Sequence, residues 1–304
     1  MAKIIGIGET VLDIIFKDDK PQAAIPGGSA FNAIVSLGKA GAPCCMVTEV
    51  GNDHVGDITC QYLRNNGVAT DYVHRAEGYQ SHISLAFLNE HNDANYQFYK
   101  DHTKVTFGDN IPDIEPDDII LFGSFFAINP AIRSEVKALL QKAHDMGATL
   151  YYDVNFRASH QHQLPEVMDN IKENMRLATI VRGSTEDFQL LFGTKDIDEL
   201  YEQHIPCDIF ILTDGPNPLQ LRTPSLKAAY PAAPIKTVST IGAGDNFNAG
   251  FVYALFNDDD DVDDDVDVDV YRFADYIAMG QKFAGDVCQQ YGNSISDELI
   301  HSLK

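Results

Sequence analysis

Residues 240–245 read Thr-Ile-Gly-Ala-Gly-Asp and open an amphipathic segment. Gly242 and Gly244 bracket Ala243, a spacing that permits a tight turn with successive backbone N–H groups converging at a helix start, where the dipole favours an anion. A carboxylate, Asp245, closes the turn. Beside a bound phosphate that charge is repulsive unless it takes a proton from a neighbour. A hydroxyl attacking a γ-phosphate is such a neighbour: Asp245 would be its base, and the N–H groups of Gly242, Ala243 and Gly244 would hold the transferring group. The plainer alternative is a helix N-cap behind a glycine turn, and on this segment alone the two stand level.

A second cluster, GGSAFN at 27–32, opens another helical segment. Gly27 and Gly28 let backbone approach a ligand, and Asn32, one turn on, offers a hydroxyl both a donor and an acceptor; an ordinary strand-to-helix turn explains the segment equally well. Asp13 is a carboxylate amid apolar residues, suited to accept from two sugar hydroxyls, or else simply an exposed strand residue. Familiar templates fail. Gly6-Ile7-Gly8 begins like a dinucleotide fingerprint, but Val11 stands where the third glycine belongs, and no GxxxxGK[ST] loop, HExxH or paired CxxC occurs.

These residues sit in a chain of 304, enough for one large domain. Lys+Arg number 22 against Asp+Glu 45, a net charge of −23 that argues against a nucleic-acid backbone or an anionic membrane as partner. No run approaches a membrane span, and the N-terminus resembles a first strand rather than a signal peptide. Cys44, Cys45, Cys60, Cys207 and Cys288 form no paired framework and read as reduced, buried thiols of a cytoplasmic protein. Nine aspartates fall within 258–269; without glycine or glutamate at calcium-loop spacing, this reads as a solvated loop.

Strand-like and helix-like segments alternate, which predicts an α/β layered fold with a mostly parallel sheet. Strands are expected at 4–7, 119–122, 148–154, 179–181 and 208–213, and helices at 29–40, 165–177, 185–192 and 245–256. Another helix follows Asn129-Pro130 as N-cap and first turn, with Ile132, Val136, Leu139, Leu140 and Ala143 on one face and Gly147 as its stop. Two hairpins break the rhythm, one over 11–26 and one pairing 81–88 with 95–100. They suggest a small sheet standing off a single domain of residues 1–304 as a lid over a site.

Five motifs in order, GGSAFN (27–32), GNDHVGD (51–57), DVNFR (153–157), TDG (213–215) and TIGAGD (240–245), resemble the ribokinase-like carbohydrate kinases, also called the phosphofructokinase B family. The resemblance implies a Rossmann-like α/β fold with a β lid, and phosphoryl transfer from ATP, with Mg²⁺, to an alcohol. It implies that Asp245 is the catalytic base and that Gly242, Ala243 and Gly244 are the anion hole. Asp13, Gly27, Gly28 and Asn32 become sugar contacts, Arg157 lies near the phosphate or the sugar, Thr213 and Gly215 belong to the nucleotide loop, and adenine lies near 281–288. Departures accompany it. Ser239 stands where aspartate is common, on the side of the turn that in the family helps hold a monovalent cation, K⁺. The family's Asn-x-x-Glu, linked to magnesium, appears as Ser184-Thr185-Glu186-Asp187, which leaves Asp187 to hold a magnesium-bound water. Pro218 replaces a second glycine of the nucleotide loop.

Relatives that act on sugar phosphates tend to carry lysine after the paired glycines, whereas this chain has Ser29. An unphosphorylated sugar is therefore expected. The segment NYQFYKD (95–101) with DVNFR looks most like fructokinases and ketodeoxygluconate kinases. Ribose and adenosine kinases remain alternatives, as does a sugar-binding protein without turnover. Ile83, Leu85 and Phe87 on the lid would be covered by lid-to-lid pairing into a homodimer.

Overall fold

The structure is a computed structural model that describes residues 1–90, 94–101, 107, 110–258 and 266–303. In chain order the elements are β1 (Ile4–Ile7), β2 (Val11–Lys17), β3 (Lys20–Gly27), α1 (Ser29–Lys39), β4 (Cys44–Gly51), α2 (His54–Asn65), β5 (Val68–Ala69), β6 (Val73–Ala76), β7 (Ile83–Leu88) and β8 (Ala94–Tyr99). There follow β9 (Ile119–Gly123), α3 (Arg133–Met146), β10 (Thr149–Asp153), α4 (Leu164–Leu177), β11 (Ile180–Ser184), α5 (Thr185–Phe192), α6 (Ile197–Gln203) and β12 (Ile209–Thr213). The last are β13 (Leu219–Arg222), β14 (Lys227–Tyr230), α7 (Ala243–Phe256), α8 (Val266–Cys288) and α9 (Asp297–Leu303). The fold is α/β: a large, mostly parallel sheet flanked by helices, and a second, small sheet.

Two compact units divide the chain, and each gathers three segments. One takes 1–4, 114–234 and 250–282, the other 5–113, 235–249 and 283–304. Three of the divisions fall inside β1, α7 and α8, and the others between β8 and β9 and between β14 and α7.

In the first unit the strand order is β14-β13-β12-β11-β10-β9. Strands β9 to β12 pair in parallel, and β13 and β14 close the edge antiparallel. Ile119–Phe122 and Leu150–Tyr152 are at most 4% exposed, the continuous apolar runs of strands covered on both faces. Strand β11 runs past the expected Val181, because Arg182, Gly183 and Ser184 keep pairing with β12; the buried Arg182 hides that continuation from an apolar pattern. Helix α3 begins later than expected. Asn129 caps only the preceding turn, its Oδ1 accepting from Ala131 N–H at 3.0 Å. The helix starts where Arg133, buried, donates to Ala127 O and Asn174 Oδ1, both at 2.7 Å, and is paired with Glu173. Gly147 ends it, in the left-handed conformation.

The second unit holds β1-β4-β5, with β6 pairing β4 in parallel, together with α1 and α2. Helix α1 is buried from Ala30 to Gly38. The two expected hairpins are present, β2 with β3 and β7 with β8, and a parallel pairing of β2 with β7 fuses them into one sheet, β3-β2-β7-β8. The rings of Phe16 and Phe87 stack at 5.0 Å across that pairing. All five cysteines are free and buried, and burial pushes the Cys44 and Cys207 thiols up to about 12. The aspartate run from 259 to 265 lies outside the described residues. Among the described residues no helix is long and apolar enough to cross a membrane.

The β2–β3 turn places Asp18 and Asp19 at φ 51° and 59°, the mirror-image turn that suits a twisted hairpin, which asparagine and aspartate tolerate and glycine adopts at least cost. Replacing the pair by Asn-Gly should raise stability by about 1 kcal/mol in urea denaturation.

Candidate active site

The carboxylate of Asp245 lies in the first turn of α7 and is held from another element. Ser29 Oγ donates to its Oδ1 and Asn32 Nδ2 to its Oδ2, each at 2.8 Å. Both donors sit on the first turn of α1, so the GGSAFN and TIGAGD segments form one site. Gly28 makes the entry to α1. Its φ of 136° and a Glu9 carbonyl oxygen 2.3 Å from where a Cβ would stand admit only glycine. In the 240–245 turn Gly242 is also left-handed, at φ 76°, and Ala243 N–H is drawn back to Thr240 O at 3.2 Å. Ser239 Oγ accepts from Ile241 N–H.

Asn246, fully buried beside Asp245, fixes this turn. Its Nδ2 donates to Gly242 O at 2.8 Å and to Asn293 O at 3.0 Å. Its Oδ1 accepts from Ser36 Oγ at 2.5 Å, and Ser36 Oγ in turn accepts from Ile295 N–H at 3.1 Å. One side chain thus ties α1, the glycine turn and the loop after α8.

Three polar groups converge on Gly27 next to this carboxylate. The point where a Cβ on Gly27 would stand is 3.1 Å from Asp13 Oδ2, 3.2 Å from Asn293 Nδ2 and 3.5 Å from Asn32 Oδ1. Asp13 is steadied by Ser84 Oγ, which donates to its Oδ1. Asn32 is only 7% exposed, and its Oδ1 is a buried acceptor with no partner among the described residues. A buried carbonyl oxygen left unsatisfied is costly unless a ligand donates to it.

The other expected residues lie in the first unit. Asp153, at the end of β10, is paired with buried Arg182 on β11 at 3.0 Å, and Arg182 Nη2 donates to Thr213 Oγ1, at the end of β12, at 2.8 Å. Thr185 Oγ1 donates to Asp214 Oδ1, and that bond with one from Asn217 lowers the Asp214 pKa; Gly215 follows at φ 55°. Asn155 and Ser124, both non-glycine residues at positive φ, mark the ends of the neighbouring strands β10 and β9. Backbone strain of this kind collects at functional sites. Arg157 is exposed and makes no ion pair among the described residues. Asp187 is occupied locally: Oδ2 accepts from Ser184 N–H and Oγ, and Oδ1 from Phe156 N–H, all at 2.7 Å. This is a capping box, and burial raises the carboxyl's pKa.

Asn246 and Asn293 escape sequence reading, since an asparagine carries no periodic signal and Asn293 joins the site from a C-terminal loop. Asn246→Ala would leave Ser36 Oγ, Gly242 O and Asn293 O without this partner, and should cost about 2–4 kcal/mol of stability in urea denaturation.

Comparison with known proteins places the chain among relatives. A fructokinase of Rhizobium leguminosarum bv. trifolii is 28% identical over 263 residues, 83% of this chain and 79% of the relative. A ribokinase of Bacillus subtilis is 27% identical over 275 residues, 84% of this chain and 86% of its own. The fructokinase structure from Vibrio cholerae with fructose, ADP and calcium bound superposes with a TM-score of 0.85 at 22% identity, covering 100% of this chain and 99% of that one. The model of the pfkB family carbohydrate kinases matches residues 1–299. The chain therefore belongs to the pfkB family of carbohydrate kinases, phosphotransferases that act on a hydroxyl acceptor.

Proposed function

We propose that the protein is an ATP-dependent fructokinase that phosphorylates a primary hydroxyl of the free sugar. The observation that carries this reading is the seat beside Asp245, where Asp13 Oδ2 and the unpartnered Asn32 Oδ1 converge over Gly27. Two acceptors at one point suit a polyhydroxylated ligand, and Asp245 is near enough to share Asn32 with it. The sugar oxygen attacks the γ-phosphorus of ATP, the bond to ADP breaks, and the hydroxyl proton passes to Asp245. Gly242, Ala243 and Gly244 present the helix start that favours the transferring charge, and Thr213 and Gly215 serve the nucleotide by their place in the TDG motif.

Among the described residues no three or more His, Cys, Asp or Glu gather as a metal cage. Magnesium would be brought in on the nucleotide phosphates and held mainly by phosphate and water, with Asp187 meeting a bound water through a lone pair its capping bonds leave over. No charged side chain stands at 239–241 to hold potassium.

Ser29 supports an unphosphorylated acceptor. It binds the carboxylate where a sugar-phosphate kinase tends to place lysine, and a chain of net charge −23 offers a dianion little attraction. Ribose is the second reading, favoured by the Bacillus subtilis ribokinase. The four-stranded sheet is read as the lid, and its edge strand β8, with Phe98 and Tyr99 about half exposed, as the surface through which two copies pair. Buried free thiols fit a cytoplasmic setting.

Asp245→Asn should lower turnover by about 10²–10⁴ while ATP still binds, and near-normal turnover would remove the residue from the mechanism. In an ADP-release assay across fructose, ribose, ketodeoxygluconate and adenosine, fructose should give the highest kcat/KM. Asp13→Ala should raise the sugar KM far more than the ATP KM. Light scattering at micromolar concentration should report a dimer.

A further inference from the structure

We infer that Asn293 is the third polar wall of the acceptor seat and a determinant of which sugar is accepted. The inference rests on reading that seat as the place of the acceptor sugar. Its starting point is a convergence of unlike groups. Over Gly27 the structure brings together a carboxylate oxygen of Asp13, a carbonyl oxygen of Asn32 and an amide nitrogen of Asn293, the last at 3.2 Å from the Cβ position. The first two accept and the third donates, so a hydroxyl brought against Gly27 within reach of all three can give its proton to an acceptor and receive a hydrogen bond in return.

The donor is well fixed. Asn293 Nδ2 donates to Pro26 O at 3.0 Å, which uses one of its two N–H bonds and orients the amide beside Gly27. Its backbone is held as well: Asn293 O accepts from buried Asn246, and both its Cα and its O lie 3.4 Å from where a Cβ on Gly242 would stand. The residue therefore touches the sugar seat through its side chain and the glycine turn through its backbone. A preorganised donor in a seat otherwise made of acceptors rejects an analogue that lacks the matching hydroxyl, because buried polar groups are then left unpaired.

The test is a cycle between protein and ligand. Asn293→Ala and Asn293→Asp, the second matching asparagine in size but not in donor, are assayed with fructose, ribose and their monodeoxy analogues, alongside thermal melting. Each variant should lower kcat/KM for the preferred sugar by about 10–100-fold, mostly through KM, with the ATP KM unchanged. For one deoxy analogue the variants should cost almost nothing further, since the hydroxyl that Asn293 meets is already gone. A loss of equal size across every analogue would make the residue merely structural and overturn the inference, as would no loss at all. If Asp245→Asn retained full turnover, the reading of the seat would fall, and this inference with it.

Discussion

A carboxylate set against a turn that attracts anions has to be pinned from outside that turn. Left alone, Asp245 would swing toward the N–H groups of its own helix start and occupy the space a phosphoryl group needs. The structure meets this with two neutral donors from α1, one for each oxygen. That choice dictates much else. Helix α1 must enter at a fixed angle, which Gly28 makes achievable through a backbone conformation closed to other residues. It must also be buried along its length, and it is, from Ala30 to Gly38.

The same economy appears one residue on. Asn246 sends its donors toward the turn and toward Asn293, and its acceptor toward Ser36, so the geometry of the turn is set by a buried polar node rather than by packing alone. Such a node, once satisfied, specifies one arrangement, because any slip leaves several groups without partners in a low-dielectric interior. In the first unit Arg182 plays a comparable part, tying the ends of β10, β11 and β12 through Asp153 and Thr213.

Much of this was legible from residue types. Periodicity located α3, and glycines 147 and 193 the ends of α3 and α5, since a left-handed cap leaves a plain mark. The paired hairpins were legible too, through alternation and turn residues. Their union in one small sheet was expected as well, but not that β2 and β7 join them in parallel, because nothing local encodes which distant strand a strand will choose. The site shows the same divide. Gly27, Asn32 and Asp245 stand in motifs, Asp13 is a carboxylate in an apolar run, and the four come together, whereas Asn246 and Asn293 matter through where their neighbours lie in space. Asp187, singled out in the sequence for magnesium, also holds Ser184 and Phe156 by three hydrogen bonds, a role visible only once Phe156 is seen beside it.

The order in which the chain is made sets a limit on when the site can exist. The bond from Asn32 to Asp245 spans 213 positions, and that from Asn293 to Pro26 spans 267. Each unit is assembled from three separated segments, the second of which ends with 283–304. During synthesis, therefore, α1 and the small sheet emerge long before the groups at 245 and 293 that complete them, and docking waits until those residues have been made. The nascent chain presents half a core and no working site for most of its elongation. Its exposed apolar surface has to stay unaggregated in that interval, until the segment that carries Asn293 has docked.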